Sequence, residues 1–154
     1  MATTAAPVVP RPLLVERASL IIEGHTLRDV SLGGWAYGPE LGTAPVVVIV
    51  GGITASPFPF GDGRPEAEGG VEPWWPALLG SGLIDLTQVT VLCPAWPGNG
   101  STWRGFEGPE APPALSVLGL ADLVACWLDG CGCVEAVTFA GASLGGMVGA
   151  ATTP

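Results

Sequence analysis

The sequence contains no lysine, and its only basic residues are five arginines and one histidine. Because 14 acidic residues outnumber them, the formal net charge at pH 7 is −9. A protein that follows the phosphates of a nucleic acid needs a dense basic surface. The composition therefore argues against nucleic acid as a partner.

Long apolar runs are also missing from the sequence. Apolar residues make up 48% of the chain, which is enough for a buried core. Runs such as Val46–Val50, however, fall far short of the roughly 20 residues that a membrane-spanning helix needs. The first residues show no basic segment followed by a sustained apolar stretch, so no export signal is recognisable. We expect a cytoplasmic protein without a membrane partner.

Cysteine occurs four times, in a pattern that fits neither a disulfide framework nor a metal site. Cys131 and Cys133 are separated by one residue, and no histidine lies near them in the sequence. A chain of this size and apolar content does not need disulfides to fold. We therefore predict free, buried thiols at all four positions, which are Cys93, Cys126, Cys131 and Cys133. No metal site is predicted.

The apolar pattern alternates between strands and helices in the order of an α/β fold. Two loosely alternating segments, 16–24 and 27–36, predict an antiparallel hairpin. Continuous β-branched runs predict strands buried on both faces, as in a parallel sheet. These runs are Val46–Val50, Val89–Pro94 and Val134–Ala140.

Helices and loops are predicted between these strands. Trp74–Leu79 predicts a short helical segment, and three- or four-residue apolar spacing predicts a helix over Val117–Asp129, with Ser116 as its N-cap and Gly130 as its terminator. The interval 56–72, rich in Pro, Gly and acidic residues, predicts an exposed loop. We expect residues 1–154 to form part of one domain, with a flexible segment at 1–15.

One pentapeptide, Gly141-Ala142-Ser143-Leu144-Gly145, matches the G-x-S-x-G pattern directly after a predicted strand and before a predicted helix. This context is typical of a nucleophile elbow, whose flanking glycines allow strand and helix to approach closely. Ser143 is then the candidate nucleophile, and the Leu144 N–H is a candidate oxyanion donor. The alternative is a glycine-rich turn without a catalytic serine, or one that binds phosphate through its N–H groups.

A second glycine-rich segment, Gly51–Ser56, follows the first buried strand. In hydrolase folds the loop after the equivalent strand supplies another oxyanion N–H. We interpret this segment as the source of that second backbone donor. An ordinary turn between strand and loop is the alternative interpretation.

Four separated segments resemble homoserine O-acyltransferases of the α/β-hydrolase superfamily. Gly51–Ala55 resembles the family's oxyanion loop, and the stretch from Trp74-Trp75 to Ile84-Asp85 resembles its W-W-x-x-L-x-G-x-G-x-x-x-D segment. Gly98–Thr102 resembles its G-x-x-G-S-T loop, and Gly141–Met147 completes the set. Their order and approximate spacing match over about residues 27–150, corresponding to the N-terminal part of the family.

The resemblance implies a fold, a reaction and a site. The fold is an α/β-hydrolase fold, with a mostly parallel sheet, an antiparallel N-terminal hairpin, and an end soon after the nucleophile elbow. The reaction is transfer of an acetyl or succinyl group from acyl-CoA, as co-substrate, to the homoserine hydroxyl through an acyl-Ser143 intermediate, in methionine biosynthesis. Leu144 and Ile53 supply the backbone oxyanion donors, no cofactor is bound, and a homodimer is one assembly that the full-length protein could form.

The acid and the base of a Ser-His-Asp triad are not found at the expected positions. In this fold they follow the serine in the chain, yet only eleven residues follow Ser143. His25, the sole histidine, is expected to be a solvated turn residue, and Asp122 and Asp129 are expected on the solvated face of a helix. Two alternatives to acyl transfer therefore remain: an esterase of the same fold, and a non-catalytic fragment that lacks the triad partners. We expect residues 1–154 alone to be inactive.

Overall fold

The computed structural model describes residues 8–98, 103–106, 109, 114–133 and 137–152. Within these ranges the chain forms five strands: β1 (Arg11–Ile22), β2 (His25–Tyr37), β3 (Val46–Val50), β4 (Thr90–Pro94) and β5 (Thr138–Gly141). Three α-helices accompany them: α1 (Ala77–Gly80), α2 (Val117–Gly130) and α3 (Leu144–Thr152). One turn of 3-10 helix covers Glu66–Glu68.

The five strands form one mixed sheet with the order β1-β2-β4-β3-β5. β1 pairs with β2 and β2 with β4 in antiparallel fashion, whereas β3 pairs in parallel with both β4 and β5. The sheet thus joins an antiparallel hairpin to three parallel strands, as predicted. β5 lies at one edge, and its C-terminal end leads directly into α3.

The hairpin of β1 and β2 is longer than the sequence indicated. Its turn is made by Glu23 and Gly24, which both have positive φ, 50° and 81°. Residues 11–15 were expected in a flexible segment, but they pair with β2 as part of β1. The Arg11 guanidinium fixes this start by donating hydrogen bonds to the carbonyl oxygens of Gly38 and Pro39, at 2.7 and 3.0 Å.

Helix α2 packs against the hairpin and covers one face of the sheet. Trp127 is completely buried there, and its Nε1–H donates to the Leu13 carbonyl at 3.3 Å. A β-carbon at Gly34 would overlap the Trp127 ring, so glycine is required where the strand passes under the indole. The prediction of this helix and of Ser116 as its N-cap is confirmed, since Ser116 Oγ accepts from the Gly119 N–H at 3.2 Å.

The predicted exposed loop at 56–72 is partly wrong, because its first part packs on the other face of the sheet. Phe60 is only 8% exposed and makes an edge-to-face contact with Tyr37, with ring centroids 5.2 Å apart. The buried Tyr37 hydroxyl donates to the Gly61 carbonyl at 2.7 Å. Residues 64–69 are exposed as expected.

Two other predicted elements differ in their bounds. The helical segment predicted at Trp74–Leu79 is the single turn α1, which begins only after Pro76. The strand predicted at Val134–Ala140 is β5, and residues 134–136 lie outside the described part of the chain. No helix in the described ranges is long and apolar enough to cross a membrane.

Candidate active site

Ser143 occupies the turn between β5 and α3, and its φ of 55° lies in the left-handed region. A non-glycine residue in that region carries a cost of about 1–3 kcal/mol and persists only when its surroundings enforce it. Three backbone hydrogen bonds do so here. The Ala142 N–H donates to the Val50 carbonyl at 3.0 Å, and the Ser143 carbonyl accepts from Gly146 and Met147 at 3.0 and 3.2 Å. The exposed Ser143 side chain thus stands at the tip of a sharp turn.

The glycines of this turn are needed for close approach. A β-carbon at Gly145 would lie against the carbonyl oxygens of Val50 and Gly51, and one at Gly141 would lie against the Gly145 backbone. A β-carbon at Gly149, one helical turn further on, would overlap the Phe139 ring. Helix α3 therefore sits closer to β3 and β5 than any side chain would allow, which gives the predicted glycines their physical role.

The loop after β3 lies beside Ser143. A β-carbon built on Gly52 would be 3.6 Å from the Ser143 Cβ and 3.8 Å from its Oγ. The Ala55 N–H donates to the Gly52 carbonyl at 3.0 Å, which closes a tight turn and leaves Ile53 70% exposed. The structure thus brings together the two sequence segments that were predicted to form one site.

The N–H groups of Ile53 and Leu144 belong to peptide units whose carbonyl oxygens are already bound. The Ile53 N–H shares a peptide plane with the Gly52 carbonyl, which accepts from Ala55. The Leu144 N–H shares a peptide plane with the Ser143 carbonyl, which accepts from Gly146 and Met147. Because a trans peptide is planar, fixing its C=O fixes its N–H in the opposite direction. Neither N–H hydrogen-bonds to any other residue in the described part of the chain. Both N–H groups are therefore fixed in direction and have no acceptor among the described residues.

Trp96 is a functional candidate that the sequence did not reveal. It directly follows β4 and its buried Nε1–H donates to the Gly52 carbonyl at 3.0 Å and the Gly51 carbonyl at 3.3 Å. Trp74 holds the far end of the same loop, since its Nε1–H donates to the Ser56 carbonyl at 2.9 Å. Two indoles thus support the loop that carries Ile53. The sequence shows that a tryptophan follows a predicted buried strand, but it does not show which carbonyls accept from the ring N–H.

A cavity of about 320 Å³ reaches Leu144, the residue that directly follows Ser143 in the chain. Its described lining residues are all uncharged and mostly apolar: Ile53, Trp96, Pro97, Gly98, Phe106, Leu115, Leu120 and Leu144. The cavity therefore includes the residues that carry both candidate oxyanion donors. Of the predicted loop Gly98–Thr102, residues 99–102 lie outside the described residues.

No described side chain hydrogen-bonds to the Ser143 Oγ. His25 begins β2 beside the hairpin turn and does not line the cavity. Asp122 and Asp129 are exposed on α2, as predicted. The described residues therefore supply a candidate nucleophile and two candidate oxyanion donors, but no base in contact with the serine.

The four cysteines are free, as predicted, but only Cys93 is fully buried and the other three are half-buried. Burial, with a smaller effect of neighbouring Cys133, raises the pKa of the Cys131 thiol to about 12. Burial likewise raises the pKa of Cys93 and of Cys133. These three thiols therefore remain protonated at neutral pH and are poor nucleophiles. The described residues bring together no group of three His, Cys, Asp or Glu side chains that could hold a metal ion.

No protein-family model matches the sequence, and no curated protein matches it either. Solved structures do match the fold. A homoserine O-acetyltransferase from Bacillus anthracis has a TM-score of 0.68 at 21% identity, over 91% of this chain and 42% of its own. The corresponding enzyme from Staphylococcus aureus has a TM-score of 0.62 at 17% identity, over 90% and 41%. An esterase has a TM-score of 0.62 at 15% identity, over 89% and 42%.

These likenesses show the α/β-hydrolase fold for the described chain. The chain spans about 42% of the length of the structures that it matches. At identities of 15–21% the likeness is one of fold, so the reaction has to be argued from the site.

Proposed function

We propose that this chain carries the nucleophile half of an acyltransferase site, in which Ser143 receives an acyl group from acyl-CoA and passes it to the hydroxyl of homoserine. The observation that carries the proposal is the position of Ser143, at a positive-φ turn directly before Leu144 and beside Gly52, the residue that precedes Ile53. An acyl transfer passes through a tetrahedral oxyanion, and such donors stabilise it. The same proposal places the protein in the cytoplasm and in methionine biosynthesis.

The reaction proceeds in two steps. In the first, the Ser143 Oγ attacks the thioester carbonyl, the C–S bond breaks, and the proton released from Oγ ends on the CoA thiol. In the second, the homoserine hydroxyl attacks the acyl-serine ester, its proton returns to Oγ, and O-acylhomoserine leaves. Both steps need a general base, because a serine hydroxyl at its ordinary pKa is a weak nucleophile. We propose that this base comes from outside the described residues.

Ester hydrolysis is the second candidate, favoured by the open position of Ser143 and by the esterase among the matching structures. The two reactions share the acyl-enzyme and differ only in the acceptor. Adding homoserine to the acylated protein separates them, because a transferase forms O-acylhomoserine whereas an esterase releases the free acid at an unchanged rate.

We expect Ser143→Ala to abolish acyl transfer, because loss of a triad nucleophile lowers kcat on the order of 10⁶-fold. The protein at its full natural length is incubated with acetyl-CoA or succinyl-CoA, and the covalent adduct is mapped by mass spectrometry. Ser81→Ala, at an exposed serine in the C-cap of α1, is the matched control and should retain full turnover.

An adduct on a residue other than Ser143, or unchanged turnover in Ser143→Ala, would contradict the proposed role. A full-length protein that forms no adduct with either donor, and hydrolyses no ester, would support the non-catalytic alternative. Circular dichroism of both variants checks that the fold is retained.

A further inference from the structure

Among the described residues, the lining of the apolar cavity at Leu144 includes no group that could hold a charged acyl chain. Seven of its eight described lining residues, all except Gly98, have aliphatic or aromatic side chains, among them Phe106, Leu115 and Leu120. None of its described lining residues is acidic or basic. The cavity volume of about 320 Å³ is at the lower end of the range for small-molecule sites.

The arginines are engaged elsewhere or lie outside the lining. The Arg104 guanidinium, two residues from Phe106 in the chain, pairs with the Glu16 carboxylate at 3.0 Å. Arg64 pairs with Asp62 at 2.6 Å, and Arg11 binds the backbone carbonyls of Gly38 and Pro39. The described part of the chain thus directs no cation into the cavity. A carboxylate buried there would lose its hydration without gaining a partner, which is unfavourable.

We infer that this cavity is the acyl-chain subsite, and that it takes uncharged aliphatic acyl groups longer than acetyl in preference to succinyl. The inference rests on the proposed function, because it assumes that the acyl carbon is bonded to the Ser143 Oγ. The chain then extends from the two oxyanion donors, past Ile53 and Leu144, toward the wall formed by Leu115 and Leu120. An apolar chain gains there the burial that a carboxylate cannot use.

The test compares acetyl-, propionyl-, butyryl- and succinyl-CoA as donors to the protein at its full natural length. Acylation of Ser143 is followed by thiol release and by the mass of the adduct. Each added methylene from acetyl to butyryl should raise kcat/KM about fourfold, as expected for burial of one CH₂. Succinyl-CoA, whose chain has the same number of carbons as butyryl, should be slower than butyryl-CoA by about a hundredfold or more.

A charge-introducing variant makes the test specific for the cavity. Leu115→Arg places a cation at the wall and should raise the ratio of succinyl to butyryl acylation by at least about tenfold. Leu118→Arg is the matched control, because Leu118 is near the same end of α2 but is 66% exposed and does not line the cavity. It should leave the ratio unchanged. Equal changes in the two variants would overturn the assignment of the cavity.

Failure of this inference can be told from failure of the proposed function. If succinyl-CoA acylates Ser143 as fast as butyryl-CoA, the inference is wrong while the nucleophile role stands. If no thioester acylates Ser143, the subsite is tested by binding alone, with butyramide and succinamate as unreactive probes. Selective shifts of the Ile53 and Leu144 amide resonances by butyramide support it, and equal shifts by succinamate overturn it.

Discussion

At the scale of single residues, an indole N–H helps to hold the candidate oxyanion loop in place. Trp96 donates to the Gly52 carbonyl at 3.0 Å, and that carbonyl belongs to the same peptide plane as the Ile53 N–H. Loss of this hydrogen bond leaves the Ala55 N–H as the other donor to the Gly52 carbonyl, so the orientation of the Ile53 N–H would be less tightly fixed. Preorganised donors owe their catalytic effect to such fixed orientation.

Trp96→Phe should therefore lower kcat by about tenfold or more while the apolar ring still fills its place in the cavity wall. Complete removal of an oxyanion donor lowers kcat on the order of 10²- to 10³-fold, and this is the largest decrease that we expect for Trp96→Phe. Steady-state kinetics of acyl transfer measure the effect, and KM should change less than kcat.

Trp127→Phe is the matched control for this variant. It also removes a tryptophan-to-carbonyl hydrogen bond, to Leu13, but at the buried contact between α2 and the hairpin. The control should lower thermal stability and leave kcat of the folded protein unchanged. A normal kcat in Trp96→Phe would show that Ile53 does not act through a fixed peptide plane.

The residue-scale features differ in how far the sequence could predict them. The positive φ of Ser143 and the close approach at Gly145 were predictable, because G-x-S-x-G after a strand is a local pattern with a local geometric cause. The role of Trp96 was not predictable, because its acceptors lie more than forty residues earlier in the chain. Only the pairing of β3 with β4 brings the two together.

At the scale of elements, the hairpin reaches across to cap helix α2. The Glu23 carboxylate in the β1–β2 turn accepts hydrogen bonds from the Ser116 N–H, at 3.2 and 3.3 Å, and from the Ser116 Oγ. Ser116 in turn caps the helix by accepting from the Gly119 N–H. Since Leu115 and Leu120 flank this cap and line the cavity, the hairpin turn supports one wall of the candidate site.

This contact should make the stability of the protein depend on pH in the acid range. The hydrogen bonds from Ser116 lower the pKa of Glu23 relative to its ordinary value. A carboxyl group whose pKa is lower in the folded state stabilises the fold above its unfolded pKa of about 4.3, and loses that effect as the pH falls through the folded pKa. We expect Glu23→Gln to be less stable than the parent at pH 7, with a difference that shrinks below about pH 4.

Urea denaturation at pH 7, 5 and 3 measures this difference. Glu68→Gln is the control, because Glu68 is exposed in the 3-10 turn at Glu66–Glu68 and lies outside the hairpin contact. A stability gap between Glu23→Gln and the parent that is constant from pH 7 to pH 3 would contradict the role of the ionised carboxylate. The N-cap itself was predicted from Ser116, whereas its partner Glu23 was predicted only as part of the first hairpin segment, 16–24.

At the scale of the whole molecule, the alternation of strands and helices was predictable. Which loops pack against the faces of the sheet was harder to predict. Continuous β-branched runs gave β3 and β4, and the Gly-rich turn gave the start of α3. The loop at 56–72 was expected to be exposed because its composition is that of a surface loop. Its partial burial depends on the ring contact between Phe60 and Tyr37 and on the hydrogen bond from the Tyr37 hydroxyl to the Gly61 carbonyl. These contacts join segments that are distant in the chain, so they cannot be predicted from composition.

The position of β5 in the sheet order has a consequence for how the molecule folds. The hairpin of β1 and β2 pairs residues that are close in the chain, whereas β5 pairs, among the described strands, with β3, which lies about 90 residues earlier. Long-range pairing has to overcome a larger loop-closure entropy, so local hairpins form first. We expect amides of the hairpin to become protected in pulsed hydrogen exchange before those of Phe139 and Ala140. Protection of β5 in step with the hairpin would contradict this order.

The strained turn at Ser143, which is held by the Val50 carbonyl, then arises only when β5 docks against β3. Folding intermediates would accordingly lack a formed nucleophile turn until the sheet around it is complete.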